Sequence, residues 1–300
     1  MTATLLTVAA HLLQLLLPIA LAPLLVGICN REYARSLGRV GPSIWQPWRD
    51  IWKLLHKQTI VQANASSFCR NAPVLVLGLS WIATALVPTF AADLVLLLGS
   101  NLLLIFALIA ATHLILIRMA IETGRRGAGW ASWQPEVGQA MAILVILWIG
   151  AIAVETGQLS ELAKRVIDSS ALVRLAVALA ALAIMLFAAD RKTVAAEVAA
   201  LDYSGRDLAF LKCAQALRFT AYLSLFICAV MPDGMAIGRL TFQNTAVGLF
   251  VYLLKVVLLA VIFPVAKMTV MRLPLLRPAY LGIVFAAVAL AAIYMSAVWA

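Results

Sequence analysis

Long apolar segments separated by polar connections occupy the whole chain. Runs of about 20 apolar residues, the length that crosses a bilayer as an α-helix, recur along it. The predicted spans are residues 4–28, 73–92, 94–118, 137–156, 172–189, 213–231, 246–268 and 279–299. The pattern predicts an all-α, polytopic membrane protein of about eight transmembrane helices. We treat residues 1–300 as a single integral membrane domain and expect the first span to be retained, since it lacks a basic leader.

The connection after the first span contains the polar stretch GPSIWQPWRDIWKLLHKQ, residues 41–58. From Pro47, which suits the first turn of a helix, apolar residues recur at spacings of three and four. They are Trp48, Ile51, Trp52 and Leu55. Basic and polar side chains fill the opposite face. This pattern predicts an amphipathic helix at the cytoplasmic interface of the bilayer. The alternative is a docking surface for a soluble partner, which the length of the loop, residues 29–72, favours.

The composition excludes a soluble domain, because 64% of the 300 residues are hydrophobic and the mean hydropathy is +1.01. The net charge of +10 indicates mainly how the chain is oriented across the membrane. Most of the 23 lysine and arginine residues, with Arg218 counted among them, fall in or beside the connections on one side of the predicted spans. The positive-inside rule then places those connections in the cytoplasm and both termini in the periplasm. Scattered loop charges do not indicate nucleic-acid binding.

Four segments resemble one known family. The order Gly41, Pro42, Trp45, Gln46 and then RDIWKLL is similar to the first cytoplasmic loop of the complex I subunit 1 family, a membrane subunit of the NADH:quinone oxidoreductases. Its form is nearest to the hydrogenase-4 and formate hydrogenlyase branch. The other segments are IETGRRGAGWASWQPE at 121–136, LDYSGRDLAFLK at 201–212 and LLKVVL at 253–258. The family's acid-rich connection between the fifth and sixth spans is shortened here to ADRKTVAAEVAALDYSG, so the chain resembles a divergent member.

The resemblance implies a non-catalytic membrane subunit that anchors the soluble arm of a nickel–iron hydrogenase complex and links electron transfer to ion translocation. The implied partners are a soluble iron–sulfur small subunit, a hydrogenase-like large subunit, an antiporter-like membrane subunit and the lipid bilayer. Iron–sulfur clusters and the nickel–iron centre are expected in those subunits, because no cofactor or metal motif is visible in this chain. We expect the subunit in a bacterial inner membrane. Two alternatives stay open: a subunit of a quinone-reducing enzyme, with quinone bound near the first loop, and a stand-alone secondary transporter.

Two groups of candidate residues follow. The predicted docking loop consists of Arg35, Arg39, Trp45, Arg49, Asp50, Lys53 and Lys57. The ion-pathway candidates are Glu122, Glu136, Glu197, Asp202 and Lys255. Lys255 is selected because a charge in the middle of a span is costly and is therefore a functional candidate. The acids have structural alternatives: a solvated loop acid for Glu122, a helix cap for Glu136 and an Asx turn for Asp202.

Overall fold

The computed structural model describes residues 2–60, 66–92, 94, 101–122, 158–159, 161, 164, 203–237 and 241–271. Six helices lie within these residues. They are α1 (Thr2–Ser36), α2 (Gln46–Leu55), α3 (Ser67–Ala85), α4 (Leu102–Glu122), α5 (Gly205–Val230) and α6 (Phe242–Met271). Four helical segments are long and apolar enough to cross a membrane: Leu6–Ser36, Ser67–Ala85, Leu102–Glu122 and Phe242–Val265. The described part of the chain is therefore mostly helical and suited to a bilayer.

Three of the predicted spans, 137–156, 172–189 and 279–299, lie outside the described residues, so the count of eight stays a prediction. Helix α5 covers all but the last residue of the predicted span 213–231, and α6 includes 246–268. The boundaries of two other spans were wrong. Helix α3 ends at Ala85, seven residues before the expected end at 92, and α4 begins at Leu102 rather than at 94.

The early end of α3 has a local cause and a tertiary one. Pro88 disfavours helical geometry at the residue before it. The fully buried amide of Gln14 on α1 donates hydrogen bonds to the carbonyl oxygens of Ala85 (3.1 Å) and Val87 (2.7 Å). The hydroxyl of Thr89 donates to Oε1 of Gln14. A side chain from another helix thus satisfies carbonyls that the α3 helix leaves unpaired at its end.

The chain following α3 pairs with the chain following α5. The backbone N–H of Ala92 donates to the carbonyl oxygen of Ala236 at 3.0 Å, and the N–H of Ala236 donates to that of Phe90 at 2.9 Å. Gly248 on α6 lies against this pair, since a Cβ there would come 3.3 Å from the Ala236 nitrogen. The ends of α3 and α5 are therefore joined at one side of the bundle, near the first half of α6.

The opposite ends of the helices meet at the other side of the bundle. Ser66 caps the start of α3 by accepting a hydrogen bond from the N–H of Cys69 at 3.2 Å. The Ser66 hydroxyl donates to Glu122, the last residue of α4. The Tyr203 hydroxyl, just before α5, donates to the Cys69 carbonyl oxygen at 3.0 Å. The end of α4 and the starts of α3 and α5 thus share a side, as antiparallel neighbours require.

Candidate docking surface and ion-pathway residues

A tight turn brings the chain back along α1. The N–H groups of Gly38 and Arg39 donate to the carbonyl oxygens of Arg35 and Ala34, each at 2.9 Å, and Gly38 adopts a left-handed φ of 72°. Beyond this turn, Gly41 packs on α1 so closely that a Cβ would come 2.7 Å from the Arg31 carbonyl oxygen. Gly38 and Gly41, which have no side chain, thus let the chain reverse direction and pack against α1, the helix that precedes the loop.

The chain after Gly41 runs along α1 and leads into α2. Gly27 of α1 touches the backbone of Ile44, and a Cβ at Gly27 would overlap it. The indole N–H of Trp48 donates to the carbonyl oxygen of Ala20 at 3.3 Å. The successive contacts on α1, at residues 27 and 20, show that α2 starts beside the C-terminal half of that helix. The predicted amphipathic segment is therefore helical and packed on protein.

The four predicted apolar positions of α2 do not share one environment. Ile51 is buried, whereas Trp52 is 63% exposed and Trp45, just before the helix, is 59% exposed. We expected one apolar face committed to lipid, but Ile51 packs within the protein, since α2 adjoins both α1 and α5. Because residues seven apart share a helix face, Trp45 and Trp52 form an aromatic edge beside the packed side.

The charged residues of the predicted docking loop divide into two sets. Arg35 pairs with Glu32 at 2.8 Å, Arg49 donates to the Ser43 hydroxyl at 3.0 Å, and Asp50 accepts from the Gln46 amide at 2.9 Å. These three side chains shape the loop itself. The other set is exposed on the surface and consists of Arg39, Lys53 and Lys57.

The end of this loop lies against the start of α5. The Ser204 hydroxyl accepts a hydrogen bond from the backbone N–H of Ile60 at 2.8 Å. Next to it, Gly205 has φ +59°, and a Cβ there would come 2.8 Å from the carbonyl oxygen of Lys57 and overlap Gln58. The structure therefore brings together the first loop and Ser204–Gly205 of the DYSG motif, two separate segments of the family resemblance.

Glu122 is the only acid among the ion-pathway candidates that lies within the described residues. Its carboxylate accepts hydrogen bonds from the Ser66 hydroxyl, from Sγ of Cys69 at 3.1 Å and from Nε of Arg118 at 2.9 Å. The carboxylate thus fixes the end of α4 to the first turn of α3. Glu136, Glu197 and Asp202 lie outside the described residues.

Lys255 lies on α6, where its ammonium group donates to the carbonyl oxygen of Met231 at 2.7 Å and to that of Asp233. Both carbonyls belong to the end of α5 and the turn after it. A cation at a helix C-terminus is favourable, because the carbonyls there carry partial negative charge. Lys255 is thus half-buried and faces its neighbouring helix, and it contacts backbone oxygens.

Gln14 and Arg218 are buried polar residues that were not selected from the sequence as site residues. In the sequence, Gln14 is a single polar residue within an apolar run. Its contacts become visible only where α1 packs against the end of α3. Arg218, which was counted with the cytoplasmic charges, is 5% exposed and lies inside α5, thirteen residues after its start. Its position within the predicted span 213–231 was the available signal. Among the described residues, no group of three or more His, Cys, Asp or Glu could hold a metal.

Comparison with known proteins supports the resemblance over nearly the whole chain. The sequence profile of the NADH dehydrogenase family matches residues 9–297. The chain belongs to this family. Its members include the complex I subunit 1 proteins that the first loop resembles.

Two similar proteins come from Escherichia coli (strain K12). Hydrogenase-4 component C is 27% identical over 269 residues, which cover 85% of each chain. Formate hydrogenlyase subunit 4 is 28% identical over 238 residues, covering 74% of this chain and 77% of that one. A chain in the structure of the membrane-bound sulfane sulfur reductase, an archaeal respiratory membrane complex, superposes with a TM-score of 0.71 at 18% identity. That superposition covers 96% of this chain and 99% of the other, so the two share a fold.

Proposed function

We propose that this protein is the membrane-anchor and coupling subunit of a complex I-like oxidoreductase of the nickel–iron hydrogenase or formate hydrogenlyase type. The observation that carries the proposal is the match to hydrogenase-4 component C over 85% of both chains. In this role the chain performs no redox chemistry. It holds a soluble iron–sulfur small subunit and a hydrogenase-like large subunit, which contain the clusters and the nickel–iron centre.

The docking surface in this proposal consists of Arg39, Trp45, Trp52, Lys53 and Lys57, together with the turn at Ser204. These side chains are exposed, and the loop that carries them is fixed to α1 and to the start of α5. A fixed loop gives up little conformational entropy when a partner binds. Exposed tryptophans provide apolar contact area, and the lysines favour a partner with an acidic surface.

The coupling part of the proposal concerns ion movement. We assign Glu122, Glu136, Glu197, Asp202 and Lys255 to a path between this subunit and an antiporter-like neighbour. Carboxylates and an intramembrane lysine are the groups that carry or gate charge in such paths. The subunit would reside in a bacterial inner membrane, with α2 beside the cytoplasmic interface and both termini in the periplasm.

Co-purification with charge-reversed variants tests the docking surface. Lys53→Glu with Lys57→Glu leaves the internal bonds of Arg35, Arg49 and Asp50 in place. We expect an affinity-tagged double variant to lose its soluble redox subunits from solubilised membranes, because like charges across an interface are strongly unfavourable. The matched pair Lys53→Gln with Lys57→Gln should give intermediate retention. Full retention by the Glu variant at ordinary salt would show that the loop contacts lipid alone.

A further inference from the structure

The turn after α1 presents a cluster of apolar side chains at the surface. Tyr33, in the last turn of α1, is 41% exposed, Leu37 is 44% exposed, and Val40 is fully exposed. Tyr33 and Leu37 lie about one helical turn apart, and Val40 follows within three residues. We call these three residues the apolar tip. Single exposed apolar residues are ordinary on a protein surface, whereas a cluster of them marks a binding surface.

The backbone of the apolar tip is fixed by its own hydrogen bonds. The N–H groups of Leu37 and Arg39 both donate to the carbonyl oxygen of Ala34, at 3.1 and 2.9 Å. The Ser36 hydroxyl donates to the carbonyl oxygen of Tyr33 at 2.8 Å. The tip therefore has its shape before any partner arrives, and a preformed surface gives up little conformational entropy on binding.

The apolar tip lies beyond the reach of lipid. Helix α1 has 35 residues and is about 52 Å long, whereas a bilayer measures about 40–45 Å even with its headgroups. Helix α2 bears charged side chains and therefore marks the cytoplasmic interface. It meets α1 where Trp48 bonds to Ala20, and the segment before it meets α1 where Ile44 touches Gly27.

The distance from this interface to the tip follows from the helix rise. Leu37 lies ten residues past Gly27, which places it roughly 15 Å further out along α1. The headgroup layer adds only about 5–8 Å on each side of the hydrocarbon. A protein, and not lipid, must therefore cover the apolar tip.

One exposed guanidinium group borders the apolar tip. Arg39 lies in the turn between Leu37 and Val40 and is exposed, whereas the nearby Arg35 pairs with Glu32 at 2.8 Å. Arginine binds carboxylates through two parallel N–H bonds. The surface that fits the tip is therefore an apolar pocket with an acidic side chain at its rim. Because Arg39 also belongs to the proposed docking surface, the tip and that surface are continuous.

We propose that the apolar tip is the buried anchor of the docking surface. Leu37 and Val40 enter an apolar pocket of a soluble redox subunit, and Arg39 pairs with a carboxylate at the rim of that pocket. The inference rests on the proposed function and names the chemistry of the partner's surface. The exposed lysines of α2 attract the partner from a distance, whereas the tip supplies the desolvated contact that holds it.

Photo-crosslinking in membranes that contain the whole complex identifies what covers the tip. Val40→p-benzoylphenylalanine should form a covalent adduct on irradiation, and mass spectrometry should identify the second protein as the iron–sulfur small subunit or the hydrogenase-like large subunit. Phe250→p-benzoylphenylalanine is the matched control, because Phe250 is an exposed apolar residue of the membrane-spanning α6. It should give no adduct with a soluble subunit.

Rebinding of the soluble arm to stripped membranes measures the strength of the contact. We expect Leu37→Ser with Val40→Ser to raise the dissociation constant at least tenfold, whereas Val40→Ile should stay within twofold of the wild type. The loss should persist at 0.5 M salt, because an apolar contact is not screened. The effect of Lys53→Glu with Lys57→Glu should shrink at that salt concentration.

Adducts of the Val40 variant with lipid alone, with a second copy of this chain or with an unrelated protein overturn the proposal. A wild-type dissociation constant for the Leu37→Ser, Val40→Ser double variant also overturns it. If that variant does not reach the membrane, the adduct of the Val40 variant decides alone. Failure of the proposed function has a different signature, since the wild-type chain would then retain no soluble redox subunit at all.

Discussion

The Ser204 hydroxyl accepts a hydrogen bond from the backbone N–H of Ile60 at 2.8 Å, joining positions 144 residues apart. This bond closes the first loop onto the start of α5. With the close approach of Gly205 to Gln58, it makes the loop and the α5 start a single surface. The position of the proposed docking surface therefore depends on two small residues that bear no charge.

Gly205→Ala should displace the loop. A non-glycine residue at φ +59° costs about 1–2 kcal/mol, and its Cβ would also overlap the backbone of Gln58. We expect faster tryptic cleavage after Lys57 and weaker retention of the soluble subunits. Gly78→Ala is the matched control, because nothing lies within 4 Å of a Cβ there and alanine favours a helix by about 1 kcal/mol. Equal cleavage rates for the two variants would contradict the role of Gly205.

The stability of the protein should depend on pH through Asp207, which precedes the predicted span. Burial raises the pKa of this carboxyl above its ordinary value of 3.8. As the pH rises past 3.8, the unfolded chain ionises first, so the folded state loses stability up to its own higher pKa. Asp207→Asn removes this loss. We expect its melting temperature, followed by tryptophan fluorescence, to exceed that of the wild type more at pH 7 than at pH 4. A constant difference would mean that Asp207 is fully hydrated.

The helices were predictable where hydrophobicity alone determines them. Helix α6 contains its predicted span because its apolar run is long enough to cross a bilayer whatever packs beside it. The end of α3 at Ala85 was not predictable, since it depends on Gln14 reaching across from α1. A run of apolar letters indicates where a helix can exist, but a buried polar contact decides where it ends.

The sequence predicted which residues belong to the docking loop, but it did not predict what each of them contacts. The spacing of apolar residues in α2 predicted a helix. It could not show that Ile51 faces protein while Trp52 stays exposed. Arg49 and Lys53 look equivalent as basic residues. In the structure the Arg49 side chain donates a hydrogen bond to Ser43 within the loop, whereas Lys53 makes no such contact and is exposed. Such distinctions depend on the turn at Gly38 and on the reversal along α1, which no local pattern encodes.

Lys255→Met should test whether the cation at the end of α5 has more than a capping role. Loss of its bonds to Met231 and Asp233 should lower stability by about 1 kcal/mol, since the group is half-exposed. Because methionine keeps the apolar stem, the complex should still assemble. We expect proton translocation to fall more than hydrogen evolution. Full translocation in proteoliposomes, with only the melting temperature lowered, would leave Lys255 as a helix cap.

The orientation of the bundle in the membrane gives a final prediction. Arg70 lies in the first turn of α3, on the side that holds Glu122 and Tyr203, and Asp233 follows the end of α5 on the opposite side. Both side chains are exposed. The positive-inside rule places the Arg70 side in the cytoplasm.

An impermeant maleimide applied to intact cells should therefore label Asp233→Cys but not Arg70→Cys, and both should react after permeabilisation. The unmodified chain is the control, because Cys29, Cys69 and Cys228 are buried and Cys213 is half-buried. Arg70 lies outside the proposed docking surface, so a bound partner should not mask it. Labelling of Arg70→Cys alone in intact cells would reverse the orientation, and the proposed docking loop would then face the periplasm, away from any cytoplasmic redox arm.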